Sequence, residues 1–357
     1  MKKRYFVAGA LWLAGLAAAG PAAAQVQTRV PPVVAGARPV TMQRIKVHSP
    51  ALEGNLEGDS ADRDVIVVLP PDYATAPRKR YPVVYALHGY SIGAEQWINE
   101  IHVPQVVEGG FALGARPMIL VLPDSKTLHN GSMYSSSPTT GDFERFIAHD
   151  LVAYVDAHYR TLARRESRGL VGHSMGGYGA SRIGMKHADV FGAVYMMSPC
   201  CLSARDTGLL DAAAVAQIEA LQTRAAATTL PWGLRATLAA AAAWSPNPKA
   251  PPLYVDLPIK DGKQRPEILA KWAANAPLAF VDQYVGDLRR YRAIAIDVGD
   301  KDGLRTDAQV LHEVLDRYGI ANSFTVYQGD HTSAVADRFQ NYVLPFFSSN
   351  LAFASQR

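Results

Sequence analysis

A serine stands between two glycines at Gly172-His173-Ser174-Met175-Gly176, and Gly177 follows directly. The residues before it, Arg168–Gly172, are short and apolar enough for a buried strand. Those after it, Gly177–His187, suit a helix packed closely on a sheet. A strand that turns straight into a helix strains the hinge residue, and side chains on either flank would strike neighbouring backbone. Glycine removes those collisions. The spacing predicts a sharp strand–serine–helix turn that lifts the Ser174 hydroxyl clear of a sheet edge.

The rest of the chain supplies a sheet for that turn. Tyr81–Leu87 and Pro117–Leu122 are near-continuous apolar runs, the pattern of strands buried on both faces of a parallel sheet. Gln43–His48 and Asp64–Leu69 read as strands, the second alternating as an edge-side hairpin strand does. Leu170–Gly172, Gly192–Met197, Arg292–Val298 and Phe324–Tyr327 add four more. Helical spacing marks Asp142–Tyr159, Leu304–Tyr318 and a last helix over 333–348. Strand alternating with helix predicts an α/β fold: a mostly parallel central sheet with helices on both faces. The alternation breaks between about Ser203 and Arg290, where alanine-rich helical stretches (Asp211–Thr223, Ala236–Trp244) flank a proline-rich run, Ser245–Pro252. This is expected to be a helical cap insertion over the functional edge of the sheet, with a separately folding domain as the alternative.

The expected organisation is a signal peptide over 1–24, an N-terminal arm over 25–42, and a core over 43–202 and 291–357 interrupted by the insertion 203–290. Lys2-Lys3-Arg4, an apolar run to Ala19 and Ala22-Ala23-Ala24 have the form of a secretion signal cleaved near Ala24. Its apolar run is too short and alanine-rich for a good membrane span, so an exported, periplasmic or secreted protein without stable membrane insertion is expected. The formal net charge is +4, and Lys2, Lys3 and Arg4 carry three of those charges. The remainder is near neutral, which gives no footing for a nucleic-acid partner. Two cysteines, adjacent at Cys200-Cys201, cannot form a disulfide framework. They are either small apolar residues or a vicinal disulfide.

A serine hydroxyl is a poor nucleophile until a histidine takes its proton and an acid holds that imidazole in the right tautomer. The serine turn resembles that of the α/β-hydrolases, in which the acid and then the histidine come later in the chain, each on a loop after a strand. Ala293–Val298 leads into Gly299-Asp300-Lys301-Asp302-Gly303, and Phe324–Tyr327 into Gln328-Gly329-Asp330-His331. Of ten histidines, His331 alone has this order and placement. Asp302 is the expected acid, with Asp300 as helix cap or support. An oxyanion needs two amide donors. The N–H of Met175 is one candidate, and that of Tyr90, in the loop His88–Gly93, the other. His88 and His173 are expected to order their loops by hydrogen bonding. Trp97, Tyr134, Tyr178, Trp232, Trp244 and Trp272 are candidates for an aromatic pocket or for core.

These segments resemble the esterase D-like branch of the α/β-hydrolases. That branch includes feruloyl and acetyl-xylan esterases, S-formylglutathione hydrolases, enterobactin esterases and mycolyltransferases. The matching stretches are Leu69–Tyr73, Tyr81–Gly89 with Trp97, Leu122–Asp124, Phe143–Phe146, Gly172–Gly177, Gly299–Asp302 and Gly329–His331. The resemblance implies an α/β-hydrolase fold and places Ser174 as nucleophile, Asp302 as acid, His331 as base, and Tyr90 and Met175 as oxyanion donors. It implies hydrolysis of a small-molecule or polysaccharide-linked ester through an acyl-enzyme, with no cofactor and no metal. Acyl transfer to an alcohol is the catalytic alternative, and a binding protein on a hydrolase scaffold the non-catalytic one. The long segment 203–290 departs from the family pattern and leaves the substrate open, as the sequence also leaves the oligomeric state.

Overall fold

The computed structural model describes residues 26–204 and 210–354, so the expected signal segment, 1–24, lies outside the described residues. Eight strands form the main sheet: β1 (Thr41–His48), β2 (Asp62–Leu69), β3 (Val83–Leu87), β4 (Ile119–Pro123), β5 (Arg168–His173), β6 (Ala193–Met197), β7 (Ala293–Gly299) and β8 (Ser323–Tyr327). Their spatial order is β1-β2-β4-β3-β5-β6-β7-β8. β2 pairs antiparallel with both β1 and β4, and every later pairing is parallel.

Successive residues of a strand face opposite sides, so the apolar runs feed two cores at once. Val65, Val67, Tyr85, Leu170, Met196 and Ile296 face one core, closed by helices Leu151–His158, Met175–Lys186 and Arg305–Arg317. Ile66, Val68, Val84, Leu120, Val171 and Tyr195 face the other, closed by Val103–Ala112 and Leu344–Asn350 with Trp97 and Phe339. Trp97 is therefore core, on the second layer. At the sheet margins the burial thins: β1 keeps one buried residue, Val47, and β8 keeps none.

The helix expected over Asp142–Tyr159 begins at Phe143, where the Asp142 side chain accepts the Arg145 N–H at 2.8 Å. It contains a π-helical turn at Phe146–Asp150 before Leu151–His158. The last helix is divided the same way, with a π turn at Phe339–Val343.

Between β6 and β7 lie helices Ala212–Glu219, Trp232–Trp244 and Pro266–Ala274. The middle one starts a turn earlier than its alanine run suggests, directly after Pro231. Pro266 opens the third, where a missing N–H costs nothing. The segment has an apolar cluster of its own, built from Val215, Ile218, Leu238, Ala242, Leu253 and Val255. Hydrogen bonds join it to the sheet unit, from Arg235 Nη2 to Leu128 O at 2.6 Å and from Tyr178 OH to Asn275 O at 2.8 Å. Among the described residues no helix is long and apolar enough to cross a membrane.

Candidate active site

Ser174 sits between β5 and helix Met175–Lys186 with φ 58° and ψ −114°, a conformation L side chains rarely adopt. Two glycines make that turn possible. A Cβ on Gly172 would lie 2.1 Å from Gly176 O, and one on Gly176 would lie 2.0 Å from Leu87 O. The hinge is also tied at both ends: Ser174 N–H donates to Met197 O at 3.0 Å, and Ser174 O accepts from Tyr178 N at 3.0 Å and Cys200 N at 3.1 Å.

The loops after β7 and β8 bring up the two expected partners. His331 Nε2 is 2.9 Å from Ser174 Oγ, and His331 Nδ1 is 2.8 Å from Asp302 Oδ2. The carboxylate is enclosed, with its side chain 2% exposed against 36% for His331. Burial alone would raise the Asp302 pKa, but the hydrogen bond and charge of His331 outweigh it and hold the carboxyl below its ordinary value. Asp300 does not cap the helix that follows. Its Oδ1 accepts the Gly329 N–H at 2.9 Å, which fastens the loops after β7 and β8 together.

Two further histidines stabilise this corner. His173 Nε2–H donates to His331 O at 2.8 Å, and burial pushes its pKa down to about 3, so the ring is neutral. His88 Nδ1–H donates to Gly89 O and Nε2 accepts from Ser125 N–H, both at 2.8 Å. It thereby fixes the loop that carries Tyr90. Gly89 rests against the serine: a Cβ there would lie 3.5 Å from Ser174 Cβ. Tyr90 and Met175 line the same cleft as Ser174 and His331, as the two oxyanion candidates must.

That cleft is about 430 Å³ and mostly apolar, with Ile92, Met133, Ala236, Ala240, Trp244 and Trp272 in its walls beside Thr237 and Thr332. Trp232 stands at its mouth, 60% exposed, its ring edge-on to Tyr90 at 5.4 Å and its indole N–H donating to Ser91 Oγ at 3.2 Å. Of the six aromatics singled out in the sequence, the three tryptophans of the 203–290 segment reach the cleft. Tyr134 and Tyr178 are buried beneath it, Tyr134 donating to His88 O at 2.9 Å. Met133 was not foreseen. It follows the turn-forming run Asn130-Gly131-Ser132 and has a positive φ of 52°, and that run was its one available sign. Among the described residues no group of three His, Cys, Asp or Glu side chains is arranged to hold a metal ion.

An open, mostly parallel sheet with a strained serine after its fifth strand, in this strand order, defines an α/β-hydrolase. The chain matches the model of the esterase family, described as putative esterase, over residues 60–342, and it belongs to that family. An esterase of Mycobacterium tuberculosis is 30% identical over 152 residues, 41% of this chain and 31% of the relative. An endo-1,4-beta-xylanase/feruloyl esterase of Xylanibacter ruminicola is 27% identical over 132 residues, 35% of this chain and 18% of the relative. The matched stretch thus spans less than a third of the first relative's length. Among solved structures, a ferulic acid esterase superposes with a TM-score of 0.62 at 24% identity, covering 87% of this chain and 97% of the other. The S-formylglutathione hydrolase of Staphylococcus aureus gives 0.56 at 16% identity, covering 87% and 98%.

Proposed function

We propose that the protein is an exported serine esterase acting on carboxylic esters. The observation that carries the reading is the unbroken line Asp302–His331–Ser174, with links of 2.8 and 2.9 Å, ending in an apolar cleft. Ser174 Oγ attacks the ester carbonyl while His331 Nε2 takes its proton, and Asp302 stabilises the imidazolium that forms. The Tyr90 and Met175 amides receive the oxyanion. The alcohol leaves with the proton from His331, and water, activated by the same imidazole, releases the acid from the acyl-enzyme. The walls favour an ester with an aromatic or branched apolar part, free or attached to a polysaccharide. That fits the ferulic acid esterases among the structural neighbours. Segment 203–290 acts as a cap in this reading, since it contributes the three tryptophans. The leading segment with Lys2-Lys3-Arg4 supports export.

The test is a fluorophosphonate probe with an ester panel. One probe molecule should attach per chain, at Ser174, and Ser174→Ala should lower kcat by about 10³–10⁶ with the fold intact. Near-normal turnover by Ser174→Ala would end the reading.

A further inference from the structure

Cys200 and Cys201 follow β6 directly and stand in two cavities at once. They line the cleft that holds Ser174, and they line an adjoining cavity of about 840 Å³ with Trp244 and Trp272. The pair therefore belongs to the partition between the two spaces. Its sulfurs are 2.7 Å apart, inside the van der Waals contact of two unbonded sulfur atoms. Cys201 has a positive φ of 59°, and the Cys200 N–H donates to Ser174 O at 3.1 Å. The turn that presents the two thiols is thus fixed to the serine itself.

We infer that Cys200 and Cys201 are a redox-active dithiol that closes to a vicinal disulfide in the wall of the catalytic cleft and thereby sets which esters fit. The role in ester fit rests on the esterase reading; the bond itself does not. Closure needs an oxidant, and a disulfide compound supplies it. The Cys201 sulfur attacks one sulfur of that compound, breaking its S–S bond, releasing one thiol and leaving a mixed disulfide. Cys200, losing its proton, then attacks the Cys201 sulfur and expels the second thiol. Two thiols of the protein are oxidised and one external disulfide is reduced. The Cys200 S–H, donating to the Cys201 sulfur and buried, has its pKa pushed well up, so Cys200 is the second thiol to react, freed of that hydrogen bond once Cys201 has reacted. Neighbouring Cα atoms lie about 3.8 Å apart, closer than ordinary disulfides prefer, so the closed form is readily reduced again. Converting two thiols to one compact bridge alters the partition shared by both cavities.

The experiment starts from purified protein, reduced and freed of reductant, then incubated with oxidised glutathione. It is unfolded, alkylated with iodoacetamide, digested and weighed. The peptide with both cysteines should carry no alkyl group and should weigh two hydrogens less than its dithiol form. Dithiothreitol treatment should restore two alkylation sites. Two alkyl groups after oxidant, glutathione retained on one sulfur, or a bond between chains would each overturn the inference. In parallel, the ratio of kcat/KM for a bulky aromatic ester to that for an acetyl ester should differ by about threefold or more between oxidised and reduced protein. Cys201→Ser should show one ratio under both conditions. Equal ratios in the parent protein would overturn the role in ester fit. Loss of the esterase reading would show separately, as absence of fluorophosphonate labelling with the mass result unchanged.

Discussion

Asp302 and His331 meet at 2.8 Å through Oδ2 and Nδ1, while the other Asp302 oxygen accepts the Leu304 N–H at 2.9 Å. The carboxylate is held by its own loop before it holds the imidazole. Asp302→Asn keeps the size but presents the wrong partner to the Nδ1 proton, so kcat should fall about 10²–10⁴-fold. Asp300→Asn disturbs the link to Gly329 instead, and should cost about 1 kcal/mol of stability with little change in rate. Steady-state kinetics and denaturant titration of the two variants separate these roles; a large rate loss in Asp300→Asn alone would move the acid to that residue.

His173 works on the same imidazole from behind. Its Nε2–H fixes the His331 carbonyl at 2.8 Å, and the rings lie 4.8 Å apart. His173→Gln should lower kcat about 10-fold at unchanged KM, because the histidine loop loosens while the cleft walls stay in place. A rise in KM with constant kcat would instead assign His173 to substrate binding.

Acid sensitivity follows from one half-buried group and one buried group. Glu144 is hydrogen-bonded by Arg182 Nε at 2.9 Å and lies beside Lys186 and His187. Burial pushes its pKa up, but His187, Lys186 and Arg182 together bring it down to about 2. A carboxyl lowered in the fold stabilises above its unfolded value of about 4.5 and loses that stabilisation as pH falls toward 2. The His173 pKa is lowered to about 3 by burial. Below about 6.5 the unfolded chain gains a proton there that the fold refuses, so stability falls in that range too. Both signs agree: unfolding free energy should decline from neutral pH toward pH 3. Glu144→Gln should cost about 3 kcal/mol at neutral pH, since it removes the carboxylate that neutralises the buried Arg182 charge. Its deficit relative to the parent should shrink toward pH 3, and a deficit independent of pH would contradict the assignment.

The elbow was legible because its chemistry is local: Gly172, Ser174 and Gly176 encode their own turn within five residues. The positions of Asp302 and His331 were legible because each directly follows a buried or sheet-paired strand. What escaped was set by packing at a distance. Helix Pro266–Ala274 was not singled out in the sequence, because Ile268, Leu269 and Trp272 form a short apolar stripe directly after a proline-rich, irregular stretch. Trp97 was a candidate for pocket or core by type alone, and helix Ala94–Glu100, packed on the second layer, buries it in the core there. The π turns at 146–150 and 339–343 leave the hydrophobic spacing almost unchanged, so each passed for continuous helix.

Trp244 and Trp272 offer the most direct test of how the cleft selects its ester. Their rings meet edge-on at 5.5 Å, and the Trp272 indole N–H donates to Ser245 Oγ at 2.8 Å, so each side chain is held in place. Both line the serine cleft of about 430 Å³ and the adjoining cavity of about 840 Å³. Trp244→Ala should open the partition and remove one aromatic surface. A small acetyl ester, which does not reach the partition, should keep its kcat/KM within a few-fold. An ester with a bulky acyl or alcohol part should change by about 10-fold or more. The direction then reports the parent geometry: a gain means that the indole excludes the group, and a loss means that it packs against it, a contact worth about 1–3 kcal/mol. Trp232→Ala, at the exposed mouth, should have the smaller effect on that ratio. Its ring leans on Tyr90, so its effect should appear in the turnover of every ester alike. An unaltered ranking of esters in folded Trp244→Ala and Trp272→Ala would remove the segment 203–290 from substrate selection.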